Sequence, residues 1–281
     1  MVSRGVIYMA GSAFAFSVMS VLVKVATTRL DLPVGDVVVV RAIVTLALSY
    51  VMVRRADLVP WGRQRGRLVI RGLLGFGGLT GYYIAIARLP LADATTIQNT
   101  TPLLTAVLAW WLLREKIGWP TAFALGCGIV GVTLLVHPTG IALDPIGIAA
   151  AICASICSAT AYVTVRQLVR TEHPLVIIFY FPLVATPLAL PWAIASWVMP
   201  SPVGWLMLIA IGVATQVAQV LLTKGLAIER AGRATSIGYI QVVFAMIWQL
   251  VVFGDPPTVW TMTGAAVILA GTLAVARAKD R

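Results

Sequence analysis

The chain has 281 residues, of which 60% are hydrophobic and only 11% charged, and its mean hydropathy is +0.95. A soluble domain of that length cannot hide so much apolar surface, which excludes a soluble enzyme or binding module. The formal net charge of +11 lies between apolar runs, as membrane topology signals do, and this argues against nucleic acid as a partner.

Apolar runs of about 18–25 residues recur from end to end, each long enough to cross a hydrocarbon core of roughly 30 Å. The first is about 24 residues long and more follow at once, so it is not read as a signal peptide. Ten spans are expected, at approximately 4–27, 34–53, 68–88, 93–113, 118–137, 145–168, 175–197, 203–227, 233–253 and 258–276. Turn signals separate them, among them Asp31-Leu32-Pro33, Trp119-Pro120, His137-Pro138-Thr139-Gly140, His173-Pro174, Pro200-Ser201-Pro202 and Gly254-Asp255-Pro256-Pro257. The fold class is therefore an all-α polytopic membrane protein with ten transmembrane helices.

An even number of spans puts both termini on one side. One set of connections and tails holds Arg4, Arg54, Arg55, Arg63, Arg65, Arg67, Arg114, Lys116, Arg170, Arg230, Arg233, Arg277, Lys279 and Arg281. The other holds little beyond Arg29 and Arg88. The positive-inside rule assigns the first set, and both termini, to the cytoplasm.

Candidate functional residues follow the chain. Lys24 and Arg41 lie toward the periplasmic ends of spans 1 and 2. Charges at such depth face the bundle interior or a wet cavity, with snorkelling to headgroups as the alternative. Arg71 is read as a snorkelling anchor. Span 3 is smoothed by Gly72, Gly75, Gly77, Gly78 and Gly81, with Gly77 and Gly81 spaced for close helix packing or a sliding gate. Tyr82 and Tyr83 follow, and Arg88 with Asp93 is expected to staple the next turn.

Span 4 opens with the polar stretch Ala92-Asp93-Ala94-Thr95-Thr96-Ile97-Gln98-Asn99-Thr100-Thr101-Pro102. Unpaired polar groups facing lipid cost several kcal/mol, so this cluster faces a cavity or another helix. Spacings of three, four and seven place Thr95, Gln98 or Asn99, and Pro102 near one face. Pro102 also frees the Gln98 carbonyl from its helical bond, making a loosened turn with amides beside it. Substrate contact and interhelical hydrogen bonding both fit. Tyr239 and Gln241 occupy the matching turn of span 9, Tyr162 adds an aromatic hydroxyl in span 6, and Arg166 and Lys224 sit toward the cytoplasmic ends of spans 6 and 8.

Negative findings narrow the chemistry. Asp31, Asp36, Asp57, Asp93, Asp144, Glu172, Glu229, Asp255 and Asp280 fall in connections, at helix ends or in a tail, and Glu115 ends span 4. Without a mid-span acid, basic groups near both mouths favour anionic or zwitterionic substrates. Cys127, Cys153 and Cys157 lack the His or further Cys partners of a metal site and read as small packing residues. His137 and His173 each precede a proline, and no nucleophile-base or metalloenzyme motif occurs within a span. An intramembrane enzyme and a channel are the weaker alternatives, the latter for want of a charged ring or repeated filter.

A shift of 140 residues lays Ala94-Thr95-Thr96-Ile97 on Ala234-Thr235-Ser236-Ile237, Glu115 on Asp255 and Gly131 on Gly271. A shift of 142 lays Gly5 on Gly147 and Lys24 on Arg166. Two five-helix halves, 1–140 and 141–281, are thus expected. Five is odd, so the halves enter the membrane from opposite sides and form inverted repeats.

These features together resemble the drug/metabolite transporter superfamily, in its EamA-type branch. The likeness runs over nearly the whole chain and is carried most specifically by "ADATTIQ" (92–98), Pro102 and the Arg114-Glu115-Lys116 that ends span 4. Val242 and Asp255 depart from the proline and glutamate of the family pattern in the second half. The resemblance implies ten helices, cytoplasmic termini, and a cavity lined mainly by spans 1, 3, 4, 6, 8 and 9. The expected function is secondary transport of a small organic metabolite across a bacterial inner membrane by alternating access, through exchange or facilitated diffusion. A carboxylate or amino acid is the favoured substrate, and a nucleotide-linked metabolite or vitamin the alternative. Lys24, Arg41, Tyr82, Gln98, Asn99, Tyr162, Lys224, Tyr239 and Gln241 are the expected substrate contacts, and Gly77, Gly81 and Pro102 the gating or kink residues. Expected partners are the small-molecule substrate and membrane lipid, with no cofactor or metal, and either a monomer or a homodimer.

Overall fold

A computed structural model describes residues 3–89, 97–136, 144–254, 256 and 258–278, and all regular structure among them is helical. The helices are α1 (Arg4–Arg29), α2 (Val34–Arg55), α3 (Arg65–Arg88), α4 (Thr101–Leu113), α5 (Trp119–Val136), α6 (Pro145–Leu168), α7 (Pro174–Ser196), α8 (Pro202–Ile228), α9 (Ala231–Ile237), α10 (Ile240–Phe253) and α11 (Val259–Arg277). Eight segments are long and apolar enough to cross a membrane, counting α9 with α10 as one of them, and α4 and α5 are shorter apolar helices. The protein is a multi-pass membrane protein.

The helix starts show why the turn signals work. Asp144, His173 and Ser201 each accept a backbone N–H from the first turn that follows, and each is followed by a proline at the first helical position. Proline there lacks only an N–H that would have had no helical partner, and its ring presets the helical φ. Ser3 and Thr258 cap α1 and α11 in the same way.

Helices α1 with α8, α3 with α6 and α5 with α11 make the most extensive pairs. Small residues permit the last two. A Cβ on Gly78 or Gly81 would meet Ser158, Ala150 or Ala154 of α6, whereas one on Gly77 would only touch Cys157. The close approach of α3 therefore runs through Gly78 and Gly81 rather than through the expected Gly77–Gly81 pair. Gly131 packs on Ile268 and the Gly264 carbonyl of α11, and Gly271 returns the contact on Cys127 and Ala124 of α5.

One core cluster joins α1, α6, α7, α8 and α9 through Val6, Met9, Leu168, Ile177, Leu226 and Ile237, at the end of the bundle that carries both termini. A second joins α1, α2 and α8 through Ala26, Val37, Val40, Leu208 and Ile211 at the opposite end. These ends are called the terminal and distal faces below. Large apolar side chains such as Trp111, Ile194 and Val251 point outward, at 70%, 75% and 68% exposure, as lipid-facing positions require.

Candidate functional site

Spans 4 and 9 each leave regular α-helix geometry at one tighter turn, where the backbone keeps right-handed helical dihedrals. Ile97 and Gln98 are helical, Asn99 and Thr100 form a turn, and α4 then begins at Thr101 with Pro102 in its first turn. In span 9, Gly238 and Tyr239 form the turn between α9 and α10. Position 99 falls on position 239 under the 140-residue shift, so the two turns coincide. So do the ends: Arg114 and Gly254, also 140 apart, close α4 and α10 in the left-handed conformation.

A change of helix geometry inside a bundle leaves some carbonyls without their usual amide donor, and burial makes each costly. Hydroxyls take them up here. The Gln98 carbonyl freed by Pro102 accepts from the Thr101 hydroxyl at 2.6 Å. That of Ile97 accepts the Thr100 amide at 3.0 Å, the Thr100 hydroxyl at 2.7 Å and the Ser155 hydroxyl of α6 at 3.1 Å. The Asn99 carbonyl accepts from the Tyr239 hydroxyl at 2.8 Å. The Thr101 hydroxyl thus occupies one lone pair of the Gln98 carbonyl that Pro102 frees.

Tyr239 joins one turn to the other. It is 2% exposed, and its ring lies so close on Gly128 of α5 that a Cβ there would overlap it at 2.2 Å. In this conformation Tyr239 braces the two turns. Beside it, Gln98, Asn99 and Gln241 are half-buried. The Gln98 amide nitrogen lies 3.4 Å from the Ser158 hydroxyl of α6, and its buried Oε1 has no hydrogen-bond partner among the described residues. Tyr82 packs with Leu89, Ile97 and Ile148 on the distal side of this region.

The basic candidates divide by position. Lys24 is exposed near the distal face, where its Nζ donates to Gln249 at 2.8 Å and lies 4.3 Å from the centre of the Phe253 ring. Arg41 is half-buried and reaches the Met19 sulfur at 3.8 Å. Lys224 is exposed toward the terminal face, 5.9 Å from the Tyr8 ring. None of the three forms an ion pair among the described residues.

Arg166 differs from its expected role, whether as a snorkelling residue or a cytosolic attractor. Its Nε donates to Glu115 at 2.8 Å and its Nη1 to the carbonyls of Leu226 and Ala227 at 2.9 Å each. The other Glu115 oxygen accepts the Ala231 amide at 2.8 Å. One ion pair therefore clamps the ends of α4, α6 and α8 to the start of α9. A second buried pair, Glu229 with Arg233 at 3.2 Å, lies beside it, and Ser3 bonds to Glu229 as well. Arg88 pairs with Asp144 at 3.1 Å; Asp93, its expected partner, lies outside the described residues, as do Thr95, His137 and Asp255.

Arg71 overturns its expectation most clearly. A snorkelling anchor holds its guanidinium in the headgroup region, yet Arg71 is 3% exposed. Its guanidinium lies 4.7 Å from the centre of the Phe181 ring of α7, and Nη2 is 3.4 Å from Oε1 of Gln219 on α8. Six residues into an apolar run and preceded by Arg65 and Arg67, it looks like an interface residue. Gly75 was the available signal, since a side chain there would strike both Arg71 Nη1 and the Phe181 ring. Among the described residues, no group of three His, Cys, Asp or Glu side chains is placed to hold a metal ion.

Comparison with known proteins bears on this geometry. The EamA-like transporter family matches the chain at residues 3–137 and 145–277. The pseudopaline exporter CntI of Pseudomonas aeruginosa is 30% identical over 280 residues, which cover 99% of this chain and 98% of the relative. Solute carrier family 35 member G1 of Mus musculus is 30% identical over 285 residues, 95% of this chain and 77% of the relative. An S-adenosylmethionine uptake transporter of Rickettsia prowazekii is 28% identical over 205 residues, 73% of this chain and 69% of the relative. One crystal structure superposes with a TM-score of 0.85 over 99% of this chain and 97% of its own at 17% identity, a likeness of fold alone.

Proposed function

The chain belongs to the EamA-like transporter family, and on that premise we propose that it carries a small organic anion or zwitterion, such as a carboxylate metabolite or amino acid, by alternating access. The membrane is a bacterial inner membrane, with the terminal face and both termini in the cytoplasm. The observation that carries the reading is the coincidence of the two tighter turns, joined by the Tyr239–Asn99 hydrogen bond of 2.8 Å. Helices that leave regular geometry between two inverted halves are where such carriers place their substrate site.

The packing supports two inverted five-helix halves. Exchanging the halves turns the α1–α8 pair into α6–α3, the α3–α7 pair into α8–α2, and the α1–α10 pair into α6–α4, and all six pairs occur. The α5–α11 and α2–α7 pairs map onto themselves and occur too. A bundle that nearly repeats itself under this exchange has two arrangements of similar energy, one open to each side.

The charge preference follows from Lys24 and Arg41 toward one face and Lys224 toward the other, with Gln98, Asn99 and Gln241 between them. The clamped Arg166 is no longer counted among the attracting groups. No acid lies mid-span, so the reading is exchange or facilitated diffusion rather than obligatory proton coupling. A hydrogen bond to a charged group contributes about 1.5–3 kcal/mol, equivalent to roughly ten- to a hundredfold in affinity. In proteoliposomes, Lys24→Ala, Arg41→Ala and Lys224→Ala are each expected to raise the half-saturating concentration of a transported carboxylate by that factor. Unchanged saturation curves in all three, or a preference for organic cations, would overturn the charge assignment.

A further inference from the structure

Arg71 is a buried cation whose protein partners do not satisfy it. Its Nε and Nη1 are buried and donate to no acceptor among the described residues, although a guanidinium carries five N–H donors. The single hydrogen bond it makes among the described residues is the 3.4 Å contact to Gln219, and it forms no ion pair there. The Phe181 ring offsets part of the cost of burial, but a buried charge ordinarily requires a carboxylate or a set of carbonyls. Arg166 in the same protein has both. The side chain is also given room rather than crowded out: Gly75, one turn further along α3, leaves the space that Nη1 occupies.

The surroundings extend toward the tighter turns of spans 4 and 9. Tyr162 and Ser158 are four residues apart on α6, one turn or about 6 Å along its axis. Ser158 lies against Gly78 of α3 and neighbours Gln98, so Tyr162, on the same face of α6, lies along α3 as well. Arg71, Tyr162, Ser158 and Gln98 thus mark a polar line between α3 and α6, from the terminal half of the bundle to the turn. It holds a cation at one end and, among the described residues, a buried, unpartnered amide oxygen at the other.

We infer that Arg71 is the substrate's carboxylate-binding residue, with the guanidinium as donor and the Phe181 ring as its platform, and that Gln98 lies toward the substrate's opposite end. This deepens the reading of the protein as a carrier of organic anions or zwitterions and rests on it. Binding would supply the acceptor that the fold withholds, so the site is most stable when loaded. An arginine kept for binding and not for structure has a recognisable signature. Its removal abolishes ligand response without destabilising the ligand-free protein, because an uncompensated buried charge goes with it.

The test uses the full chain purified in detergent, followed by tryptophan fluorescence during heating, with succinate and glutamate as probes and succinamide as the neutral control. The wild type is expected to gain a few degrees in Tm with a carboxylate and nothing with succinamide. Arg71→Met is expected to unfold at or above the wild-type temperature without ligand and to show no carboxylate shift. Gly75→Ala keeps the charge but crowds the guanidinium, and is expected to raise the half-saturating carboxylate concentration about tenfold. An unaltered carboxylate response in Arg71→Met overturns the assignment and leaves the broader anion reading intact. A wild type that responds to neither carboxylate overturns both. If Arg71→Met is destabilised, Gly75→Ala decides: an unchanged half-saturating concentration overturns the assignment.

Discussion

Arg166 and Arg71 are both arginines well inside the helical bundle, and their surroundings are opposite. Arg166 meets a carboxylate and two helix-end carbonyls, all at 2.8–2.9 Å. Arg71 meets an aromatic face and one amide oxygen at 3.4 Å. The first arrangement pairs the cation with a carboxylate and two carbonyls inside the protein and so ties four helix ends together. The second leaves two buried nitrogens unpartnered among the described residues. Residue type and depth therefore do not decide what a buried charge does, whereas the acceptors around it do.

The largest expected effect tests the satisfied member. Arg166→Met strands the Glu115 carboxylate beside the Ala231 amide, and removing one partner of a buried pair costs about 3 kcal/mol or more. A fall in Tm of several degrees is expected, against none for Arg71→Met. Equal losses in the two variants would erase the contrast. Next comes Gly128→Ala, which drives a methyl into the Tyr239 ring. Overpacking of this kind costs about 1–3 kcal/mol, read from the same unfolding curves, and an unchanged Tm would mean that the ring does not lie on α5.

Tyr239→Phe keeps the ring and removes only the donor to Asn99. Losing one hydrogen bond costs about 0.5–1.5 kcal/mol, and the variant is expected to lose transport rate as well, since it uncouples the two turns. Retention of both stability and rate would show that the turns are independent. The smallest effect belongs to the exposed Arg88–Asp144 pair, with side chains 48% and 32% exposed. Arg88 holds the Asp144 carboxyl below its ordinary pKa. Its stabilising contribution is therefore present above the unfolded carboxylate pKa and is lost as pH falls through the folded one. Arg88→Ala is expected to leave Tm nearly unchanged at neutral pH, because solvent and salt screen such pairs.

Much of the fold was legible in the residues. Span 6 was expected at 145–168 and α6 occupies Pro145–Leu168, because Asp144-Pro145 is a cap followed by a proline that starts a helix. Proline, glycine and charge punctuate apolar runs locally, and local signals can be read along one chain. The turn in span 4 was foreshadowed by Pro102, but its counterpart at Gly238-Tyr239 carries no proline and was read as an unbroken span. What marks that turn is a contact across the fold, the Tyr239 ring seated on Gly128. Pairings across distance were harder. Arg166 and Glu115 are 51 residues apart, and their depths did not reveal that their helix ends converge. Arg71 was misread because depth along a helix is visible in sequence and the face a side chain takes is not.

The central claim, a carrier that takes organic anions or zwitterions through two alternating arrangements, is tested most directly by counterflow. Proteoliposomes holding the purified chain would be loaded with unlabelled succinate or glutamate and exposed to trace amounts of the same labelled compound. The account predicts saturable, transient accumulation of label above its external concentration, dependent on internal substrate and not produced by a quaternary ammonium probe. Accumulation of the ammonium probe alone, or flux that rises linearly with concentration and ignores internal substrate, would contradict it.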